Sequence, residues 1–203
     1  IILEKEGVKI GLIGFIPSNT ASLVSYPHIK DYFFTDPVEE ANKLVPEMRE
    51  QGAEVIVALT HLPVYLQDDG TYGNEAIEFA NHAEDVDAIV AGHMYDVFAD
   101  KVNGRPMFQT SHYGTMIGHI SLTYDRVAKA VQDSSVELID VQNNELNLEP
   151  DPEIEGIVSK YAEQLDAVFG EEIGTALDFM PTDMVKELGL GHWWTNAIAE
   201  ATE

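Results

Sequence analysis

Two histidines stand where apolar strands release the chain. His61 follows "VIVALT" (55–60), and His93 follows "AIVAG" (88–92). In an α/β sheet the carboxyl ends of neighbouring parallel strands share one crevice, and ligands sit there. The two histidines lie 32 residues apart, a length that suits a strand–helix–strand unit placing two such ends side by side. Neutral imidazole is the commonest protein ligand for zinc, manganese and iron, so the pair reads as two ligands of one divalent ion. The plainer reading is that each histidine caps its strand and hydrogen-bonds to loop carbonyls.

The surrounding pattern supplies the elements such a pair needs. "VKIGLIGFI" (8–16), "EVIVALTH" (54–61) and "VDAIVAGH" (86–93) read as buried strands, the apolar runs of a sheet covered on both faces. Between them, a helix is expected from Asp36 as N-cap, with Pro37 in its first turn and Gly52 past its end. Pro46 inside it predicts a kink or break. A second helix is expected over "NEAIEFANHA" (74–83). This alternation predicts a layered α/β domain. "PMFQTS", "MIGHISLTYD" and "SVELIDVQ" then read as successive strands. A polar, proline-bearing boundary at 145–153 precedes a helical stripe of Ile154, Ile157, Val158, Tyr161, Leu165 and Val168 that ends at Gly170. "EEIGTALDFM" (171–180) reads as a strand, and a further helix starts in "LGLGHWWTNAIAEATE".

Composition removes several function classes. The 203 residues include 36 acidic and 11 basic side chains, a formal net charge of -25. Such a polyanion repels nucleic acid backbones and anionic membranes, and it suits a salt-rich or extracellular setting. Cysteine is absent, which excludes disulfides, zinc knuckles and thiol catalysis and leaves His, Asp, Glu and Asn for a metal site. No run approaches the ~18 apolar residues of a membrane span. The first residues, interrupted by acidic side chains, do not read as a signal peptide.

In order, "EKEGVKIGLIGF", "VIVALTHLP", "VDAIVAGHMYD" and "FQTSHYGTMIGHISLTYD" resemble the 5'-nucleotidases and 2',3'-cyclic-nucleotide phosphodiesterases of the calcineurin-like metallophosphoesterases. The resemblance implies an α/β fold, a layered β-sandwich flanked by helices, present as a partial domain. Residues 1–145 would be the C-terminal half of the catalytic domain, 146–170 an interdomain linker helix, and 171–203 the start of the family's C-terminal domain. It also implies hydrolysis of nucleoside monophosphates or cyclic nucleotides by two divalent ions, manganese, zinc or similar, that clamp the phosphate and activate water. His61 and His93 match metal ligands, and the location implied is extracellular, periplasmic or at the cell surface.

Two departures qualify that expectation. The position that is His, Gln or Asn in the family is Tyr95 here, and a phenol, which keeps its proton at neutral pH, is a poor ligand for manganese or zinc. Asp96 is the neighbouring substitute. The family's Asp-x-His, Gly-Asp and Gly-Asn-His segments have no match, so this chain could hold fewer than two ions, or none. The alternatives are a degenerate, non-catalytic relative that binds nucleotides or a partner chain, and a chain completed by a separate N-terminal half or by self-association through an exposed apolar sheet face. His112, on the "QTSHYG" loop, is a candidate phosphate contact. His82 reads as a solvent-facing helix residue, His119 as the outward face of a strand, Trp193 and Trp194 as packing residues, and "EDVD" (84–87) as a solvated turn.

Overall fold

A computed structural model describes residues 1–142, 148–172, 174–175 and 189–202. The strand expected over 171–180 falls largely outside them. The chain divides into two compact units, Ile1–Leu146 and Asn147–Glu203.

The first unit is built on a six-stranded sheet. Its strands are β1 (Ile2–Lys5), β2 (Val8–Phe15), β3 (Val55–Thr60), β6 (Ala88–Val90), β7 (Phe98–Val102) and β8 (Arg105–Gln109), in the order β1-β2-β3-β6-β8-β7. The inner four run parallel, and the two edge strands are antiparallel. Helix α3 (Pro37–Glu50) connects β2 to β3, and α4 (Glu75–His82) lies between β3 and β6. Both crossovers step the same way across the sheet, so right-handed connections place both helices on one face. That face carries the core: Phe15, Ile56, Ala58, Ile89 and Met107 from the strands against Ala41, Val45, Ala76 and Phe79 from the helices. Gly11 sits under α3 because a Cβ there would lie 2.7 Å from Ile56 and 2.8 Å from Met48.

On the other face a hairpin, β9 (Met116–Asp125) with β10 (Ala130–Asp140), forms a second layer. It meets the sheet at Phe108, whose ring fills the space a side chain at Gly118 would need. The arrangement is the mixed, partial α/β sandwich expected from the sequence. The hairpin packs on β7 and β8, and its turn reaches the β1–β2 turn, where Arg126 donates to the Glu6 carbonyl at 2.9 Å, and Glu54 before β3, 3.3 Å from Lys129. Towards β1, β2 and β3 the same face leaves Leu3 and Leu59 50% and 45% exposed. The strand register puts both on the side away from the helices.

Asp36 caps α3 as expected, its Oδ1 accepting from the Val38 and Glu39 amides at 2.8 and 3.0 Å. The helix does not break at Pro46. Pro46 and Asn42 are both exposed, so the Asn42 carbonyl that loses its helical partner faces water. Several elements were not expected from the sequence, among them β7 and the short helices α1 (Thr20–Leu23) and α2 (Tyr26–Ile29). A two-residue ladder of β4 (Tyr65–Leu66) and β5 (Tyr72–Gly73) lies between β3 and α4.

In the second unit, α5 (Pro152–Phe169) starts at Asp151, whose Oδ1 accepts from the Glu153 and Ile154 amides at 2.9 and 3.2 Å. It ends at Gly170. Helix α6 spans Gly189–Thr202.

Candidate metal centre

The parallel strands deliver His61 and His93 to the same edge of the sheet. The His61 amide donates to the Phe15 carbonyl at 2.8 Å, tying the end of β3 to the end of β2. The Thr60 hydroxyl donates to the Val90 carbonyl at 3.0 Å, and the Gly92 amide to the Leu62 carbonyl at 3.2 Å, which bind the end of β3 to that of β6. A Cβ at Gly92 would lie 3.7 Å from the His61 imidazole, so the chain passes the ring with no side chain between them. His93 then adopts φ 86°, a left-handed conformation that costs a non-glycine residue about 1–3 kcal/mol and concentrates at functional sites.

The two imidazoles meet edge to face, their centroids 4.8 Å apart and their planes at 82°. Both side chains are exposed. Two solvent-accessible nitrogen donors this close suit one divalent ion as part of a coordination shell. They do not close it: a zinc site takes at least three protein ligands. Among the described residues no three His, Asp or Glu side chains come together so that they could hold a metal.

The other candidates are placed apart from this pair or engaged elsewhere. Tyr95 lies against His112, with centroids 4.7 Å apart. The Asp96 carboxylate accepts from the Leu66 amide at 3.0 Å, where it anchors β4. His82 stands on the solvent side of α4, its Nδ1 3.0 Å from the Glu78 carbonyl. His119 faces outward on β9, with Nδ1 2.9 Å from Glu137 Oε1. Of the acidic turn 84–87, Asp87 is drawn inward and accepts from the Ile56 amide at 2.7 Å and from Arg49 at 2.8 Å. Trp193 and Trp194 are 48% and 61% exposed on α6 rather than packed.

One residue of the site escapes sequence reasoning. Gln109, at the end of β8, is fully buried. Its Oε1 accepts from the Val64 amide at 2.9 Å; its Nε2 donates to the Val64 carbonyl at 2.9 Å and the Asp96 carbonyl at 2.6 Å. The amide acts as a ladder partner for the segment after His61 and holds the segment after His93 to it. A glutamine within an otherwise apolar strand, "PMFQ", is the signal that could have singled it out, since a buried amide must find partners.

No family model matches the chain. It is 29% identical over 176 residues to endonuclease YhcR of Bacillus subtilis (86% of this chain, 14% of the relative). Against a 2',3'-cyclic-nucleotide 2'-phosphodiesterase/3'-nucleotidase of Salmonella typhimurium it is 27% identical over 139 residues, 60% of this chain and 22% of the relative. Against a 5'-nucleotidase of Vibrio vulnificus it is 37% identical over 98 residues, 45% of this chain and 17% of the relative. Among solved structures, the calcineurin-like phosphoesterase YfkN of Bacillus subtilis superposes with a TM-score of 0.68 at 26% identity, over 83% of this chain and 58% of that one. These likenesses support the resemblance to calcineurin-like phosphoesterases of the 5'-nucleotidase and cyclic-nucleotide phosphodiesterase type. It spans less than a quarter of the length of the curated relatives named above. The fold alone is shared with a 5'-nucleotidase precursor of Thermus thermophilus (TM-score 0.66, 20% identity), over 98% of this chain and 42% of that one. In a calcineurin-like phosphoesterase, paired strand-end histidines at the carboxyl edge of the sheet lie where ligands of α/β sheets collect.

Proposed function

We propose that the first unit supplies part of a metal-assisted phosphoester hydrolase centre acting on nucleoside monophosphates or cyclic nucleotides, with His61 and His93 holding one of two divalent ions such as manganese or zinc. The observation that carries this reading is the 4.8 Å edge-to-face approach of two exposed imidazoles at adjacent parallel strand ends. When bound, a pair of such ions supplies Lewis-acid polarisation of a phosphoryl oxygen and an activated water. His61 and His93 present nitrogen donors, and Gln109 fixes the two segments that follow them. The remaining donors come from outside the described residues. Residues 1–145 then serve as the C-terminal half of the catalytic domain, 146–170 as the linker helix and 171–203 as the start of the next domain. The likeness to a precursor 5'-nucleotidase over 98% of the chain supports this division. A location outside the cytoplasm fits the acidic surface and a relative named cell wall protein Lmo0130 of Listeria monocytogenes. Among the described residues no helix is long and apolar enough to cross a membrane.

Hydrolysis of AMP and of 2',3'-cyclic AMP by protein in which this chain is joined to the segment that supplies the remaining donors, with manganese present and then with a chelator, tests this reading. Metal-dependent release of phosphate or of the ring-opened monoester supports it, and hydrolysis indifferent to the chelator contradicts it. Nucleotide binding without turnover favours the second reading, a non-catalytic relative. The engagement of Tyr95 with His112 is the observation on that side.

The half-domain reading has a mechanical consequence. The sheet face carrying Leu3 and Leu59 is the surface a complementing N-terminal half would cover, and without it the isolated chain is expected to self-associate. Sedimentation velocity across a concentration series should show a rising weight-average mass, lowered by Leu59→Lys. A chain that stays monomeric at the highest concentration contradicts this.

A further inference from the structure

The segment that starts at His93 is strained and has little backbone support. The His93 φ of 86° is a conformation that persists only where the surroundings hold it. Among the described residues, no backbone–backbone hydrogen bond reaches residues 93–97. Strand pairing resumes only at Phe98, opposite Gln109.

Side chains hold this segment instead. Gln109 Nε2 donates to the Asp96 carbonyl at 2.6 Å, and the Tyr72 hydroxyl donates to the Val97 carbonyl at 3.0 Å. Both of these reach in from other elements. The third tie starts inside the segment, where Asp96 Oδ2 accepts from the Leu66 amide at 3.0 Å. All three lead to the stretch that follows His61. Leu66 and Tyr72 are partners in the β4–β5 ladder, and Gln109 also bonds the amide and carbonyl of Val64. Of the three, the Asp96 bond has an ionised acceptor, which makes it the strongest kind.

We infer that Asp96 is a positioning residue whose bond to the Leu66 amide sets where His93 stands relative to His61, and so the spacing of the two nitrogen donors. This deepens the reading proposed above and rests on it for the ion. Asp96 then acts on the ion through His93, and not as a carboxylate ligand standing in for Tyr95. The two roles ask different things of the side chain. A positioning bond needs an oxygen acceptor at this reach, which asparagine keeps. A ligand role draws on the carboxylate oxygen that zinc prefers, which asparagine lacks.

Ring-proton NMR of His61 and His93 in the full chain, first without metal and then through a zinc titration, reads both spacing and affinity. The rings meet edge to face at 4.8 Å, so each shifts the other's protons. Asp96→Ala should move the resonances of both histidines before zinc is added. It should also weaken zinc binding at least about tenfold, the low end of the cost of removing a group that orients metal ligands. Asp96→Asn should restore both properties. The ring protons of His82, out on α4, should stay in place in every variant and so report an intact fold. Asp96→Asn as damaging to zinc binding as Asp96→Ala overturns the positioning role and makes the carboxylate a ligand. Resonances or zinc affinity unchanged in Asp96→Ala overturn it as well. If the unaltered chain binds no zinc, the metal reading fails, and the metal-free resonances still decide: moved by alanine and restored by asparagine they support the positioning role, and unmoved they overturn it.

Discussion

Gln109→Leu is expected to destabilise the first unit by about 3–5 kcal/mol. The substitution keeps the side chain's size but removes three hydrogen bonds. It leaves the Val64 amide and carbonyl, on a residue with no exposed surface, without partners. Each buried polar group left unsatisfied costs about 1–3 kcal/mol. Against a total stability on the order of 5–15 kcal/mol, that brings the unit near unfolding at ambient temperature. Gln109→Glu is not a rescue: a carboxylate can still accept from the Val64 amide but cannot donate to the Val64 and Asp96 carbonyls, and it carries a charge into the core. Urea unfolding followed by circular dichroism measures the difference, and a loss under about 1 kcal/mol would show that water or a rearranged loop replaces the amide.

The largest functional effect is expected at the histidine pair. His61→Ala or His93→Ala, in protein that hydrolyses a nucleotide with manganese present, should reduce kcat/KM at least about 100-fold. Disturbing only the groups that orient metal ligands already costs about 10–100-fold, and removing a ligand deletes a donor outright. His82→Ala is the control, because that side chain lies on the solvent face of α4. Steady-state kinetics at saturating metal checks the comparison. Equal losses in all three variants would point to a general structural effect, and turnover that survives at His61 and His93 would place the chemistry elsewhere.

The histidine pair was legible in the sequence because its position follows from short-range rules. Apolar runs mark β3 and β6, a crossover helix fits between them, and parallel pairing brings their ends together. The contact of Tyr95 with His112 and the Gln109 anchor were not legible. Tyr95 could be seen to depart from the family pattern, but its turn towards His112 depends on a loop fifteen or more residues further along the chain. Gln109 bonds Val64 from 45 residues away, a contact no periodicity reports. The strand β7 was missed for a different reason. "FADKV" buries only Phe98 at the edge of the sheet, so it lacks an apolar run. Its turn carried the signal instead: Asn103 and Gly104 adopt φ 49° and 79°, as a tight hairpin of the Asn-Gly type requires. Pro46 shows the converse, a strong local rule that an exposed helix face absorbs without breaking.

The central claim is that His61 and His93 are two donors of one ion in a shell the described residues do not close. Titration of the purified chain with zinc, followed by metal content per chain after dialysis, tests it most directly. The account predicts a single weakly held ion that dialysis largely removes, with the affinity reduced at least about tenfold by His61→Ala or by His93→Ala. Two ions retained per chain, or zinc binding indifferent to both substitutions, would contradict it.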